Sequence, residues 1–236
     1  MTAIEWDAAG KRFYENGTDR GVLYRMDDSG AYEKGVAWNG LTAVTESPEG
    51  AEATDLYADN AKYATLRSTE TFGCTIEAYT YPDEFAECDG SAQVADGVFI
   101  GQQERRGFGF SYRTNIGNDT ATSSDDGYKL HIVYGCTASP SEKSYATVND
   151  SPDAITFSWE VKTTPVNVAG HKATATLVID TRFLTTTAQK SALTKLEETL
   201  YGGASAEPKL PTPSEVIAMF GSSASSQSTT GTKAAN

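Results

Sequence analysis

The stretch "NDSPDAITFSWEVKTTPV" (Asn149–Val166) decides the fold class. Within it Ile155, Phe157, Trp159 and Val161 alternate with Thr156, Ser158, Glu160 and Lys162. An apolar residue at every second position, rich in β-branched and aromatic types, is the pattern of a strand with one face in a core and the other in water. The polar face is hydroxylic and charged, and nothing near it in sequence has the make-up of a catalytic centre.

The same period recurs on both sides of this segment. In "STETFGCTIEAYTY" (68–81), Phe72, Cys74 and Ile76 face one way, and Thr71, Thr75 and Glu77 the other. In "RGFGFSYRTN" (106–115), Phe108, Phe110 and Tyr112 share a face. In "GYKLHIVYGC" (127–136), Tyr128, Leu130, Ile132 and Tyr134 oppose Lys129 and His131. "VADGVFIGQQ" (94–103) and "HKATATLVIDT" (171–181) add further strands, and "GVLYRMDDSGAYEKGVAWNG" (21–40) reads as two strands joined by a turn at Asp27–Gly30. "IGNDTATSSDDG" (116–127) is expected to be a hairpin tip; its "SSDDGYK" lacks the twelve-residue ligand pattern of a calcium loop. Pro82, Asp83 and Glu84, followed by Gly90, predict a two-turn helix among the strands.

After Asp180 the period changes to helical. Thr186 and Gln189 form a capping box, Leu193, Leu196 and Leu200 a stripe, and Gly202 a stop. Thr212, Pro213 and Glu215 open a second helix with Val216, Ile217 and Phe220 as its apolar stripe. Residues 221–236 are Ser/Thr-rich and expected to be disordered. The expected architecture is mainly β, a two-sheet sandwich or barrel-like domain over residues 1–220 with one short helix among the strands and helices over about 185–220.

The chain has 236 residues and a formal net charge of −13, from 32 acids and 19 bases. That balance excludes a surface built to grip nucleic-acid phosphates. The excess is concentrated: Glu46, Glu49, Glu52, Asp55 and Asp59 come with no base among them. Residues 42–66 are acidic and Ala-rich, yet carry Leu56, Tyr57, Tyr63 and Leu66, too apolar for a solvated linker. A long loop of that kind is expected to dock on something. Cys74, Cys88 and Cys136 have neither disulfide-framework nor zinc spacing. Cys88 lies between acids, which works against a reactive thiolate. No G-x-S-x-G or Walker motif occurs, and His131 and His171 read as ordinary structural or solvated histidines. Neither a membrane span nor a charged-then-apolar leader is evident, so the chain is expected to be made in a cytoplasm. No catalytic residue, cofactor site or metal site is expected.

Long stretches carry a resemblance. "AYEKGVAWNGLTAVTESPEGAEATDLYADNAKYATLRSTETFGCTIEAYTYPDEFAECDG" (31–90), "GFGFSYRTNIGNDTATSSDDGYKLHIVYGCTASPSEKSYATVNDSPDAITFSWEVKTTPV" (107–166) and "LPTPSEVIAMF" (210–220) resemble the major tail protein of long-tailed bacteriophages and prophages of Gram-positive hosts. The resemblance spans about residues 30–220. It implies a non-enzymatic tail-tube subunit of the virion, in which hexameric rings stack into a hollow conduit for genome ejection and strands of neighbouring subunits join into an inner barrel. It implies as partners further copies of the chain, the tape-measure protein, the tail terminator, and double-stranded DNA that passes without specific binding. It assigns Glu46, Glu49, Glu52, Asp55, Leu56, Tyr57, Asp59 and Tyr63 to an inter-ring loop, and sets the small helix near Pro82–Cys88 on the outside. On this reading Thr75, Glu77, Thr156, Ser158 and Glu160 face the lumen. Two alternatives from other classes are a monomeric carbohydrate-binding β-sandwich, which needs exposed aromatic platforms, and a glycosidase using two acids.

Overall fold

Residues 3–120, 127–147, 153–204 and 206–221 are described by the computed structural model. The expected hairpin tip at 121–126 and the Ser/Thr-rich end from 222 lie outside them. The chain is mainly β. Eight strands make one sheet: β1 (Phe13–Arg25), β2 (Val36–Trp38), β3 (Leu41–Glu46), β6 (Gly73–Ala78), β9 (Phe108–Asn118), β10 (Tyr128–Ala138), β11 (Phe157–Thr163) and β12 (Thr176–Asp180). Two hairpins stand apart, β4 (Ala53–Ala58) with β5 (Ala61–Arg67), and β7 (Ala92–Ala95) with β8 (Val98–Ile100). The helices are α1 (Phe85–Cys88), α2 (Thr187–Tyr201) and α3 (Pro213–Gly221).

The sheet runs β2-β1-β9-β10-β11-β6-β3, with β12 also on β10. It is one hydrogen-bonded sheet, where the sequence pointed to two, and it curls over itself. In a flat sheet β2 and β11 would lie roughly 19 Å apart at the usual strand spacing. Yet the rings of Trp38 on β2 and Trp159 on β11 are 5.6 Å apart. The edge strands β2 and β3 are joined by Asn39 and Gly40 alone, which brings the two edges together.

Curling gives the central strands two buried faces. Inside the curl lie Leu23, Trp38, Ile76, Phe108, Phe110, Val133, Trp159 and Val161, with Phe85 and Cys88 of α1 as a plug. On the other face Val22, Tyr24, Leu130, Ile132, Tyr134 and Ile179 pack under Leu196 and Leu200 of α2 and Val216 of α3. Three tyrosines fasten this helical layer. Tyr24 donates to Leu200 O at 2.7 Å, Tyr128 to Glu197 Oε1 at 2.6 Å and Tyr134 to Pro211 O at 3.0 Å. The Thr186–Gln189 capping box forms, as does its Thr212–Glu215 counterpart. Ile217, expected inside, is exposed, because Val216 alone of the two points into the layer. Helix α1 is a single turn, shorter than expected, and Gly90 at φ +77° ends the chain reversal.

Gly135 explains how β10 serves two partners. Before it, Lys129–Val133 pair with β12; after it, Cys136–Ala138 pair with β11. The residue sits at φ +59°, and a Cβ there would lie 2.2 Å from Thr164 O. Gly135→Ala should destabilise the protein by roughly 2–3 kcal/mol, through a left-handed backbone and a backbone clash together. Urea unfolding followed by far-UV circular dichroism reads the loss directly.

Candidate functional site

The split at Gly135 leaves a four-stranded ribbon in the order β1–β9–β10–β12, built from Phe13–Asp19, Arg113–Asn118, Tyr128–Val133 and Thr176–Asp180. Strand β2 covers β1 at Gly21–Leu23 and no further. Among the described residues, nothing pairs with the outer side of Phe13–Arg20 or with the outer side of β12, so the ribbon has two open edges. Just before β12, Ala175 O accepts from Tyr134 N–H of β10 at 2.8 Å. Alternation then points the odd-numbered Leu177 and Ile179 backbone groups towards β10, and those of Thr176, Val178 and Asp180 outward. β1 is bulged at Gly17, φ +68°, and again at Arg20, φ +51°. These bulges hid the first half of β1 from period-two reading.

One face of the ribbon lies under α2. The other carries Glu15, Thr114, Lys129, Val178 and Asp180. Its bases are held by acids. Lys129 pairs with Glu15, and Arg182 with Asp180 at 2.6 Å. The Arg182 guanidinium holds the Asp180 carboxyl below its usual range. Such a face offers a polyanion no unengaged ammonium or guanidinium from these residues.

The polar residues read from sequence do share a surface. Thr75 is the cross-strand neighbour of Glu160, and Glu77 of Ser158, all turned away from the core. Thr156 is exposed just before the strand begins. This patch belongs to β6 and β11, not to the open-edged ribbon. Over it the Ser47–Glu49 and Pro140–Glu142 segments wall a groove of about 610 Å³, and Ser141 Oγ accepts from the Glu160 amide at 3.2 Å.

The segment expected to be a long loop is strand β3 followed by a projecting hairpin. Ladder bonds continue from β3 and β6 through Glu49 and Thr71, each donating to the other at 2.8 Å. The chain then kinks at Gly50, φ +89°, and Ala51, φ +56°, and runs out into β4–β5. Asp59 and Asn60, both at positive φ, make the two-residue turn that such hairpins favour. Asp55 accepts from Thr65 at 2.7 Å and pairs with Lys62 at 2.8 Å. Tyr57 and Tyr63 are 71% and 78% exposed, and Leu56 and Leu66 are exposed beside them. Among the described residues, nothing covers these side chains, so the docking expected of this segment is not seen there. Glu46 lies at the arm's root; Glu49, Glu52, Asp55, Leu56, Tyr57, Asp59 and Tyr63 lie along it.

The remaining reactive groups are in structural settings. All three thiols are buried, and burial pushes Cys74 and Cys88 up to about 12 and Cys136 well above the ordinary thiol value. Asp89 is clamped by Arg105 and Lys143, and Glu87 by Arg25 and Arg106. No group of three or more metal-binding side chains occurs among the described residues. None of their helices is long and apolar enough to cross a membrane. No protein-family model matches the chain, and no curated protein is significantly similar to it.

Proposed function

We propose that the protein is a self-assembling tube subunit, a tail-tube protein of a long-tailed phage, whose copies join side by side into rings that stack into a conduit. The open-edged ribbon carries this reading. Two unpaired backbone edges on one four-stranded ribbon are an aggregation hazard in a monomer and are removed when the ribbons close into a barrel. The strands alternate in direction, so the last strand of one copy and the first of the next, related by rotation about the tube axis, run antiparallel. The seam then has the same bonding as the strands within each copy. Six copies give about two dozen strands, and at about 4.8 Å spacing and roughly 40° tilt such a barrel is on the order of 50 Å across between backbones. That is room for a DNA duplex.

On this reading the wall is the ribbon face with Glu15, Thr114, Lys129, Val178 and Asp180, because α2 covers the opposite one. Its neutralised bases suit a genome that slides without binding. The Thr75, Glu77, Thr156, Ser158 and Glu160 patch then borders the conduit from the adjoining half of the sheet. The exposed aromatic arm reaches the next ring. A sugar-binding module would have to rely on Trp6 and the exposed tyrosines, because Trp38 and Trp159 are buried in the core. Negative-stain electron microscopy with sedimentation tests the reading: rings or hollow tubes support it, and a monomer at every concentration, with or without tail-tip components, removes it. Excising Glu52–Ser68, whose ends already bond each other at 3.1 Å, should leave a folded protein that forms rings but not stacks. Tubes of normal length from that variant would take the arm out of the ring-to-ring contact.

A further inference from the structure

Two hairpins lie outside the eight-stranded sheet, and each presents an apolar face to solvent. In the β4–β5 arm, cross-strand pairing sets Thr54 beside Leu66, Leu56 beside Ala64 and Ala58 beside Ala61, so this face is apolar but for one threonine. The opposite face holds Asp55, bonded to Thr65 and Lys62. In β7–β8, Ala92 pairs with Ile100 and Ala95 with Val98, a second face without a polar side chain. Leu56, Leu66, Val98 and Ile100 are all exposed, and so are Phe99 and Val94, the latter at the β7 bulge. We propose that these two faces dock on each other between copies: the arm of one copy lies on the β7–β8 hairpin of another.

A hairpin of two strands alone is marginally stable in water, so each of these needs a cover, which the described residues of its own copy do not supply. Faces of alanine beside aliphatic side chains are flat enough for one ribbon to pack on another, at about 10 Å between backbones. The charges match as well. Strand β5 carries Lys62 and Arg67 and no acid, whereas residues 91–104 carry Asp96 and Glu104 and no base. Arg67, Asp96 and Glu104 have no ion-pair partner among the described residues, so both surfaces bring unmet charge of opposite sign. Two β7–β8 hairpins face to face would bring only acids together. The arm and β7–β8 are different surfaces of one chain, so their contact is head-to-tail and repeats from copy to copy, the form that builds a stack. The inference rests on the tube reading for the assembly itself, and adds to it the surface that receives the arm.

The experiment mixes full-length copies carrying Leu56→Cys with copies carrying Ile100→Cys, assembles them, and adds a bismaleimide spanning about 10 Å, the distance between packed sheets. The native thiols are buried and stay out of the reaction. A cross-linked peptide pair joining residues 56 and 100 can form only between copies. It is the expected main product, several-fold above the yield when Leu56→Cys copies are mixed with copies carrying Lys190→Cys on the exposed side of α2. A second variant, Val98→Asp with Ile100→Asp, changes exposed positions outside the sheet; it should leave the monomer's far-UV circular dichroism unchanged and give rings that do not stack. Should the cysteine copies fail to assemble, this variant decides alone. Cross-links joining two arms or two β7–β8 hairpins, no cross-link in tubes that form, or tubes of normal length from the aspartate variant overturn the proposal and leave the tube reading standing. A parent chain that forms neither rings nor tubes removes the tube reading, and the inference with it.

Discussion

Trp159→Ala is expected to cost about 3–5 kcal/mol, the range for emptying a fully buried large aromatic site. The indole is wholly buried and sits at the centre of an aromatic cluster. Its ring lies 5.1 Å from Phe85, 5.4 Å from Tyr81, 5.6 Å from Trp38 and 5.8 Å from Phe157. These partners come from α1, the segment before it, β2 and β11 itself, so the cavity would open where the curled sheet closes on its plug. Collapse into it is opposed by strands bonded on both sides. The loss is one of packing and not of hydrogen bonding, because Trp159 Nε1 has no partner among the described residues. Trp38 differs, donating to Thr80 O at 3.0 Å. Trp159→Phe should therefore cost much less than Ala, since it keeps a ring and removes a buried, unsatisfied donor. Urea titration by far-UV circular dichroism separates the two variants. A loss below about 1 kcal/mol for the alanine variant would mean that the sheet does not close on this residue.

How much of this was legible in the sequence follows from how each element is stabilised. β6, β9, β10 and β11 have one face towards the curl's core, so Cys74, Ile76, Phe108, Phe110, Trp159 and Val161 print a period of two that reading recovers. The helix stripes and both capping boxes are equally local signals. The first half of β1 carries no such signal, because Gly17 and Arg20 interrupt its alternation and its residues from Glu15 to Asp19 are mostly polar. In sequence the β4–β5 arm looks like a loop because no core imposes a period on it: Asp55, Thr65 and Lys62 stabilise it from one side, and Leu56 and Leu66 are exposed. The polar character of the Thr75, Glu77, Ser158 and Glu160 patch is legible in the alternation, and its position is not. That Thr75 meets Glu160 follows from pairing register, and that the open edges lie elsewhere follows from Gly135 turning one strand to two partners. Register and branching are tertiary facts that alternation alone does not encode.

The open edge gives the second large effect. Val178→Pro should abolish ring formation while leaving the monomer folded. Proline removes the backbone N–H and cannot donate to a neighbouring strand, which is tolerated where that N–H faces solvent at a sheet edge. Val178 is such a position: its backbone groups point away from β10, and its side chain is 47% exposed. The adjoining Ile179 is the contrast. Its backbone turns inward, its side chain is buried under α2, and Ile179→Pro should unfold the ribbon. Val178→Thr keeps the N–H and the β-branch and should assemble as the parent does. Sedimentation and electron microscopy of these variants divide the possibilities further when set beside the arm excision. Loss of rings with Val178→Pro, and loss of stacking alone with the excision, assigns the lateral seam to the β12 edge and the axial contact to the arm. Rings from Val178→Pro would instead mean that copies meet through surfaces other than these edges, and the ribbon would then need another partner for its unpaired backbone.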